Sequence, residues 1–146
     1  MLKPISDEEK AKLPSQVIVP LEEKFEDERG FIQPLVDLDF KSCVLITSRK
    51  NTIRANHYHR TDWHFCYVIE GQIEYYHRVH GSSQEPEKTT VEEGQMFFTP
   101  PMVDHTMVFR KDTTFLAYGR NSRKQEVYEA DIERISMIDS AQVFTE

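Results

Sequence analysis

The chain has 146 residues, a length that suits one domain better than two independent cores. Hydrophobic residues make up 38% of it and charged residues 29%, enough apolar material for a core inside an ordinary polar surface. With 18 Lys and Arg against 25 Asp and Glu, and a net charge of -7, it lacks the basic face that nucleic acid or an anionic membrane requires, although two or three local cations would suffice for one phosphorylated ligand.

The segment MLKPISDEEKAKLP is charged, carries Pro4 and Pro14, and has no apolar signal-peptide core. Residues 1–15 are expected to form a polar arm or a short helix, SDEEKAKL, ahead of a single domain over 16–146. No apolar run approaches the ~20 residues that span a bilayer, so the expectation is a soluble, cytoplasmic protein. From Gln16 onward, short runs rich in Val, Ile, Phe, Tyr and Thr alternate with turn signals. Strands are predicted at 16–19, 31–37, 41–48, 51–59, 64–70, 72–80, 88–94, 95–100 and across 105–120, where HTMVFR is followed by TFLAYGR. Glu70-Gly71-Gln72 is predicted as a tight turn between two strands, and GSSQEPE (81–87) as a polar hairpin end. Only Arg123 to Met137 looks helical, with a weak apolar stripe of Val127, Ile132 and Ile135. Cys43 and Cys66 sit in apolar, strand-like runs without a CxxC partner, which reads as two reduced core thiols. The fold class is all-β: a closed barrel or two-sheet jelly roll with a short C-terminal helical segment, whose interior can hold a small ligand.

The six histidines are the most informative residues. By strict alternation Ile53, Ala55, His57 and His59 share one face of their strand, and Arg54 lies on the other. His64 shares a face with Cys66 and Val68, and His105 with Met107 and Phe109. Two histidines at i and i+2 project about 7 Å apart in one direction, a spacing that can close on one metal ion or place two bases along one substrate. His77 and His80 are expected at the surface or the hairpin end. Trp63, Phe65, Tyr67, Phe97 and Phe98 read as core or interface residues rather than a stacking platform. Met96, Met102 and Met107 read as core filler. Arg120, Arg123 and Lys124 read as a solvated loop, with phosphate contact as the alternative.

His57-Tyr58-His59, His64 and Gly71, followed by Gly94, Pro100 and His105, resemble the two motifs of the cupin superfamily over residues 40–120. The resemblance implies a small jelly-roll β-barrel with an interior site. His64 stands where the family usually has a metal-binding Glu, and Met102 where a glycine is expected. In metal cupins the matching positions hold the ion. His57, His59, His64 and His105 would then form a four-imidazole set for one divalent transition metal, Zn, Fe, Mn, Ni or Cu.

FEDERGFIQPLVD (25–37) and IRANHYHR (53–60) are similar to the D-x-R-G-F and R-G-x-H segments of cupins that act on nucleotide-linked keto sugars. The closest likeness is to the sugar 3,4-ketoisomerases, and residues 115–132 are similar to their C-terminal segment. That resemblance implies catalysis without metal and a homodimer that exchanges N-terminal strands. It also implies that Arg29 binds a nucleotide diphosphate. Ala55 replaces the glycine of that motif, and His64 replaces its Gln.

For a 4-keto sugar, the proton at C3 is acidified by the adjacent carbonyl, and a neutral histidine can remove it. His57 is expected as the base, His59 as the second acid or base, and Tyr118 as the group returning a proton, with Tyr67, Tyr75, Tyr76 and Tyr128 as alternatives. Arg29 and Arg54 are the expected substrate-binding residues. Arg29 could instead be a solvated turn residue, and Arg54 reaches the interior only through a bulge or a strand end. A metal-bound His57 could not also be a free base, so the two mechanisms exclude each other at that residue. The leading expectation is isomerisation or epimerisation of a keto sugar, nucleotide-linked, through an enediolate. The alternatives are a metal-dependent cupin, a dioxygenase or other, acting on a small polar metabolite, and a non-catalytic sugar-binding module. No helix pair suited to DNA reading is visible.

Overall fold

The computed structural model describes residues 2–144. A one-turn helix, α1 (Asp7–Lys10), opens the arm, with Glu9 N donating to the Ser6 Oγ cap at 3.1 Å. The strands β1 (Phe25–Asp27) and β2 (Gly30–Ile32) form a small hairpin. They are followed by β3 (Ser42–Ser48), β4 (Thr52–His59), β5 (His64–Glu70), β6 (Gln72–Val79), β7 (Glu87–Glu92), β8 (Met96–Thr99), β9 (Val103–Phe109) and β10 (Thr113–Gly119). The chain ends with α2 (Gln125–Asp131), β11 (Ile132–Arg134) and α3 (Ser140–Val143). Among the described residues no helix is long and apolar enough to cross a membrane.

Two antiparallel sheets face each other as a jelly roll, with orders β3-β10-β5-β8 and β11-β4-β9-β6-β7. Alternation along their strands sends Val68, Phe97 and Phe115 from one sheet and Ile73, Tyr75 and Phe109 from the other into a common core. A second cluster of Trp63, Phe65, Met96 and Phe98 is covered by Ile5, Leu13 and Val19 of the N-terminal segment and by Leu35 and Leu38. The arm is therefore part of the packing of this sheet.

Four sequence expectations change. The predicted strand 31–37 stops at Ile32, because Gln33 precedes Pro34, which offers no N–H to a ladder. The predicted strand 16–19 contracts to a bridge between Ile18 and Phe97. Gly71 makes the expected tight turn, and because β5 and β6 belong to different sheets the chain turns a corner there. Gly71 has φ +102°, and a Cβ there would fall against Thr113 Oγ1 and 2.6 Å from the Asp112 carbonyl, so conformation and space both demand glycine. The predicted helix 123–137 ends at Asp131. Its β-branched second half becomes β11, which pairs Ile132, Glu133 and Arg134 with His59, Tyr58 and His57 and so covers the free edge of β4. Of the two thiols, Cys66 is buried and pushed up to about 12 by that burial, whereas Cys43 is exposed on β3.

The departure that matters most is a bulge in β4. Ala55 and Asn56 have φ of +74° and +55°, and the register with β9 jumps from Ala55–Thr106 to His57–His105, leaving Asn56 as the extra residue. The bulge reverses the alternation on its N-terminal side. Arg54, paired with Met107, turns inward, and Ile53 turns to the outer face beside Ile135 and Ile138. Asn56 is suited to the left-handed region. It also holds the C-terminal segment, donating Nδ2 to Ile138 O at 2.9 Å and accepting on Oδ1 from Thr106 Oγ1 at 2.6 Å and Ile138 N at 3.1 Å. Ala55 has no such compensation. Ala55→Gly should relieve ~1–2 kcal/mol of backbone strain against ~0.4–1 kcal/mol of added unfolded-state entropy. A net stabilisation of about 0.5–1 kcal/mol is expected in urea unfolding, and a loss would contradict the bulge geometry.

Candidate functional site

Beyond the bulge, alternation keeps His57 and His59 on the same inner face, β9 supplies His105 directly opposite His57, and β5 begins at His64. Ring centroids lie 4.8 Å apart for His57–His59, His57–His105 and His59–His64, and 5.6 Å apart for His59–His105. One ring nitrogen from each of His57, His59 and His105 falls within 4.8 Å of the other two, and the same holds for ligand atoms of His59, Asp62 and His64. The four predicted histidines therefore do converge. They line a cavity of about 140 Å³ with an apolar wall of Val44, Ile46, Cys66, Phe97 and Phe115. Arg54, Arg123 and Tyr128 also line it. A larger groove of about 870 Å³ lies under the N-terminal arm beside Trp63 and Arg120, and no histidine lines it.

Burial dominates the electrostatics. It pushes His57 down to about 2, with the neighbouring His105 and His59 adding to the effect. It pushes His105 down to about 3, reinforced by His59 and partly offset by the Val103 carbonyl. His64 is held well below the usual imidazole range by burial and then by His59 and His57. These three rings are neutral at pH 7. His105 Nδ1 lies 3.0 Å from Val103 O. A carbonyl only accepts, so Nδ1 carries the hydrogen and Nε2 keeps its lone pair.

His59 differs from the others. It is 1% exposed, yet neither ring nitrogen has a hydrogen-bond partner among the described residues. Asp131 Oδ2 lies 3.6 Å from its Nδ1, beyond hydrogen-bond length but close enough to pair with an imidazolium. Burial raises the Asp131 carboxyl, but contacts with His59, Thr61 and the Asp62 N–H outweigh it and hold the group below the usual range. Thr61 N, Thr61 Oγ1 and Asp62 N donate to this carboxylate at 3.0, 2.6 and 2.9 Å. Asp62 stands 3.2 Å from His64 Nε2 and accepts from Asn121 N at 2.9 Å, and burial raises its carboxyl above the usual range.

Arg54 reaches the cavity through the bulge, with Nε donating to Ser48 Oγ at 2.6 Å and one terminal nitrogen to Thr47 O at 2.9 Å. Tyr118 lies elsewhere. Its neighbour Ala117 lines the cavity, so alternation turns Tyr118 to the other face of β10, where it packs on Phe40 at 5.3 Å. Tyr128 of α2 takes that place, with ring centroids 5.5 Å from His59 and 6.1 Å from His57. Burial pushes its hydroxyl up to about 12, and the Arg123 guanidinium stacks on its ring at 3.5 Å. Arg29 is exposed in the β1–β2 turn, paired with Asp27 at 2.6 Å, and does not line the cavity. His80 is a surface residue stacked on Tyr58, as expected, but His77 is half-buried against Tyr75 and bonded to Thr89. The sequence reading missed Asp62 and Asp131. Asp62 had a visible signal, an acid inside the histidine-rich run HYHRTDWH, whereas Asp131 had none beyond its place after an apolar helix face.

Residues 44–118 match the sequence profile of the cupin domain, so the chain belongs to the cupin family. Among solved structures it is similar to the WlaRB TDP-quinovose 3,4-ketoisomerase from Campylobacter jejuni, at 17% identity and TM-score 0.68 over 80% of this chain and 90% of that one. It is similar to the dTDP-4-dehydrorhamnose 3,5-epimerase from Sulfolobus tokodaii, at 19% identity and TM-score 0.65 over 85% and 86%. It is also similar to QdtA, a sugar 3,4-ketoisomerase from Thermoanaerobacterium thermosaccharolyticum in complex with TDP, at 16% identity and TM-score 0.65 over 84% and 93%. At these identities the likeness is one of fold. No curated protein gives a significant sequence match.

Proposed function

We propose that this cupin isomerises or epimerises a keto sugar, nucleotide-linked, by moving a proton at the carbon beside the carbonyl through an enediolate. The observation that carries the reading is His59, which lines the cavity with Asp131 3.6 Å behind its Nδ1. His59 Nε2 takes the acidified proton, and the Nδ1–H of the resulting imidazolium then pairs with the Asp131 carboxylate. Among the described residues no carboxylate stands behind His57, whereas Asp131 stands behind His59, so the role moves from His57 to its neighbour. Arg123, stacked on Tyr128, offers positive charge to the enediolate oxygen, and the Tyr128 hydroxyl, in place of Tyr118, returns a proton.

The cavity of about 140 Å³ is the size that accepts a single six-membered ring, leaving the nucleotide outside. Neither Arg54 nor Arg123 has an acidic partner among the described residues, although the chain carries 25 acids to 18 bases. The Arg54 guanidinium, exposed where it lines the cavity and free of an acidic partner, suits a diphosphate. Arg29 can contribute only to a neighbouring copy. Phe25, Phe31, Ile32 and Leu45, each more than half exposed, support a homodimer. Sedimentation velocity tests it, and a monomer at micromolar concentration would remove both the dimer and the role of Arg29. The function itself is tested by incubation with dTDP-, UDP- and GDP-linked 4-keto-6-deoxy sugars in D₂O. Deuterium should enter at C3 or C5 on epimerisation, or at C4 as the ketone moves to C3, by mass spectrometry, and no exchange with any of them would overturn the reading. A ligand bound without exchange would instead mark a sugar-binding module.

A second reading is favoured by the three ring nitrogens of His57, His59 and His105 within 4.8 Å and by the orphaned nitrogens of His59. The donor set fits one divalent transition ion, Zn, Fe, Mn, Ni or Cu, held by these three residues with His64 beside them. Such an ion would supply Lewis-acid stabilisation of an enediolate oxygen or, as iron, activation of dioxygen. His64, with Asp62 at its back, is then the imidazole left for proton transfer. Elemental mass spectrometry on tag-free protein separates the readings. Near one equivalent of metal would remove His59 as the base, and no uptake on adding Fe, Mn, Ni or Zn would leave it free.

A further inference from the structure

Residues 60–63, Arg-Thr-Asp-Trp, join β4 to β5 at the end where His59 and His64 emerge. This short loop is held from both sides. On the α2 side, Arg60 N donates to the Asp131 carbonyl at 2.9 Å, Thr61 N and Oγ1 donate to Asp131 Oδ1, and Asp62 N donates to Asp131 Oδ2. On the β10 side, Asn121 N donates to Asp62 Oδ1, and Asn121 Nδ2 donates to Thr61 Oγ1 at 3.0 Å. The Thr61 hydroxyl thus gives its one hydrogen to Asp131 and accepts from Asn121. Further out, Arg120 donates to Thr61 O at 3.2 Å and Asn121 Oδ1 at 3.3 Å. Its Nε donates to Glu9 of the N-terminal arm at 2.7 Å, and the same Glu9 oxygen accepts from Trp63 Nε1 at 2.9 Å.

We propose that Thr61 and Asn121 are positioning residues that hold Asp131 behind His59 and Asp62 beside His64, and that Glu9 fixes them from outside the cavity. The proposal rests on the assignment of His59 and Asp131 as the base pair. Asp131 Oδ1 is anchored by two donors from Thr61 and Oδ2 by one from Asp62, which fixes the carboxylate plane and presents Oδ2 to His59. Without the Thr61 hydroxyl, Oδ1 keeps one donor and the group can rotate. Thr61, Asn121 and Glu9 do not line the cavity, so substrate binding is left alone.

The test pairs Thr61→Val with Thr61→Ser on the full chain, purified metal-free. Thr61→Val should lower kcat about 10- to 50-fold with KM within about two-fold, the range typical of removing a partner that orients a working group. Thr61→Ser should restore kcat. Long-range ¹H–¹⁵N spectra of the histidine rings provide a readout that needs no substrate: Thr61→Val should move the His59 signals and leave His105 in place, and Thr61→Ser should return them. Asn121→Ala keeps the backbone donor to Asp62, so it should move His59 and spare His64, and it serves if Thr61→Val fails to fold. Glu9→Gln should give a smaller loss in the same direction. A Thr61→Val protein with wild-type kcat and unmoved His59 signals would overturn the proposal, as would a Thr61→Ser protein that loses as much as Thr61→Val. If no keto sugar is turned over but the His59 signals move as described, the positioning role stands and the catalytic reading falls.

Discussion

His59→Phe should reduce turnover at least ~10³-fold, within the range that general acid–base groups contribute, while the protein melts no lower than the wild type. Both halves follow from one environment. His59 is 1% exposed and its two ring nitrogens have no hydrogen-bond partner among the described residues, so the fold draws little from its polar atoms. Such a group costs ~1–3 kcal/mol, and a phenyl ring of similar shape removes that cost. Asp131 keeps its three donors from Thr61 and Asp62 when the imidazole is gone. Turnover and thermal unfolding measured on one preparation decide the matter. A variant that loses activity and melts several degrees lower would show that His59 serves the fold, and an active variant would end its role as the base.

The largest effect on stability is expected from Phe115→Ala. Phe115 is fully buried at the centre of the core and stacks on Phe109 across the sheets at 5.8 Å. Removing such a ring leaves a cavity that surrounding strands cannot close, at ~3–5 kcal/mol, a large share of the ~5–15 kcal/mol that holds a domain folded. Urea unfolding should show the midpoint falling with an unchanged slope. A loss below ~1 kcal/mol would mean that the two sheets do not pack through this residue.

Strands β3 to β10 and the pair His57 and His59 were legible because each carries a local signal, alternation in a short apolar run or an imidazole at i and i+2, and His64 and His105 were reached through the motif resemblance. What was not legible depends on partners distant in the chain. Nothing around Ala55 announces a bulge, since alanine is an ordinary strand residue; only the glycine that the similar motif carries there hints at the positive φ, and the bulge is what turns Arg54 inward. Tyr118 and Tyr128 are equivalent as chemical groups, and the face of β10 chooses between them. Ile132–Arg134 reads as the end of a helix until the open edge of β4 is in view. Asp131 shows its purpose only when the loop at 61–62 arrives against it.

The order in which these groups leave the ribosome separates folding from chemistry. Both sheets, apart from β11, are complete at Gly119, with all four cavity histidines in place. Tyr128 and Asp131 come later, on α2. On the proposed mechanism, the carboxylate behind His59 is therefore the last part of the site to be made, after all four histidines. The same division gives a change in α2 a direct route to the proposed reaction, through Tyr128 and Asp131.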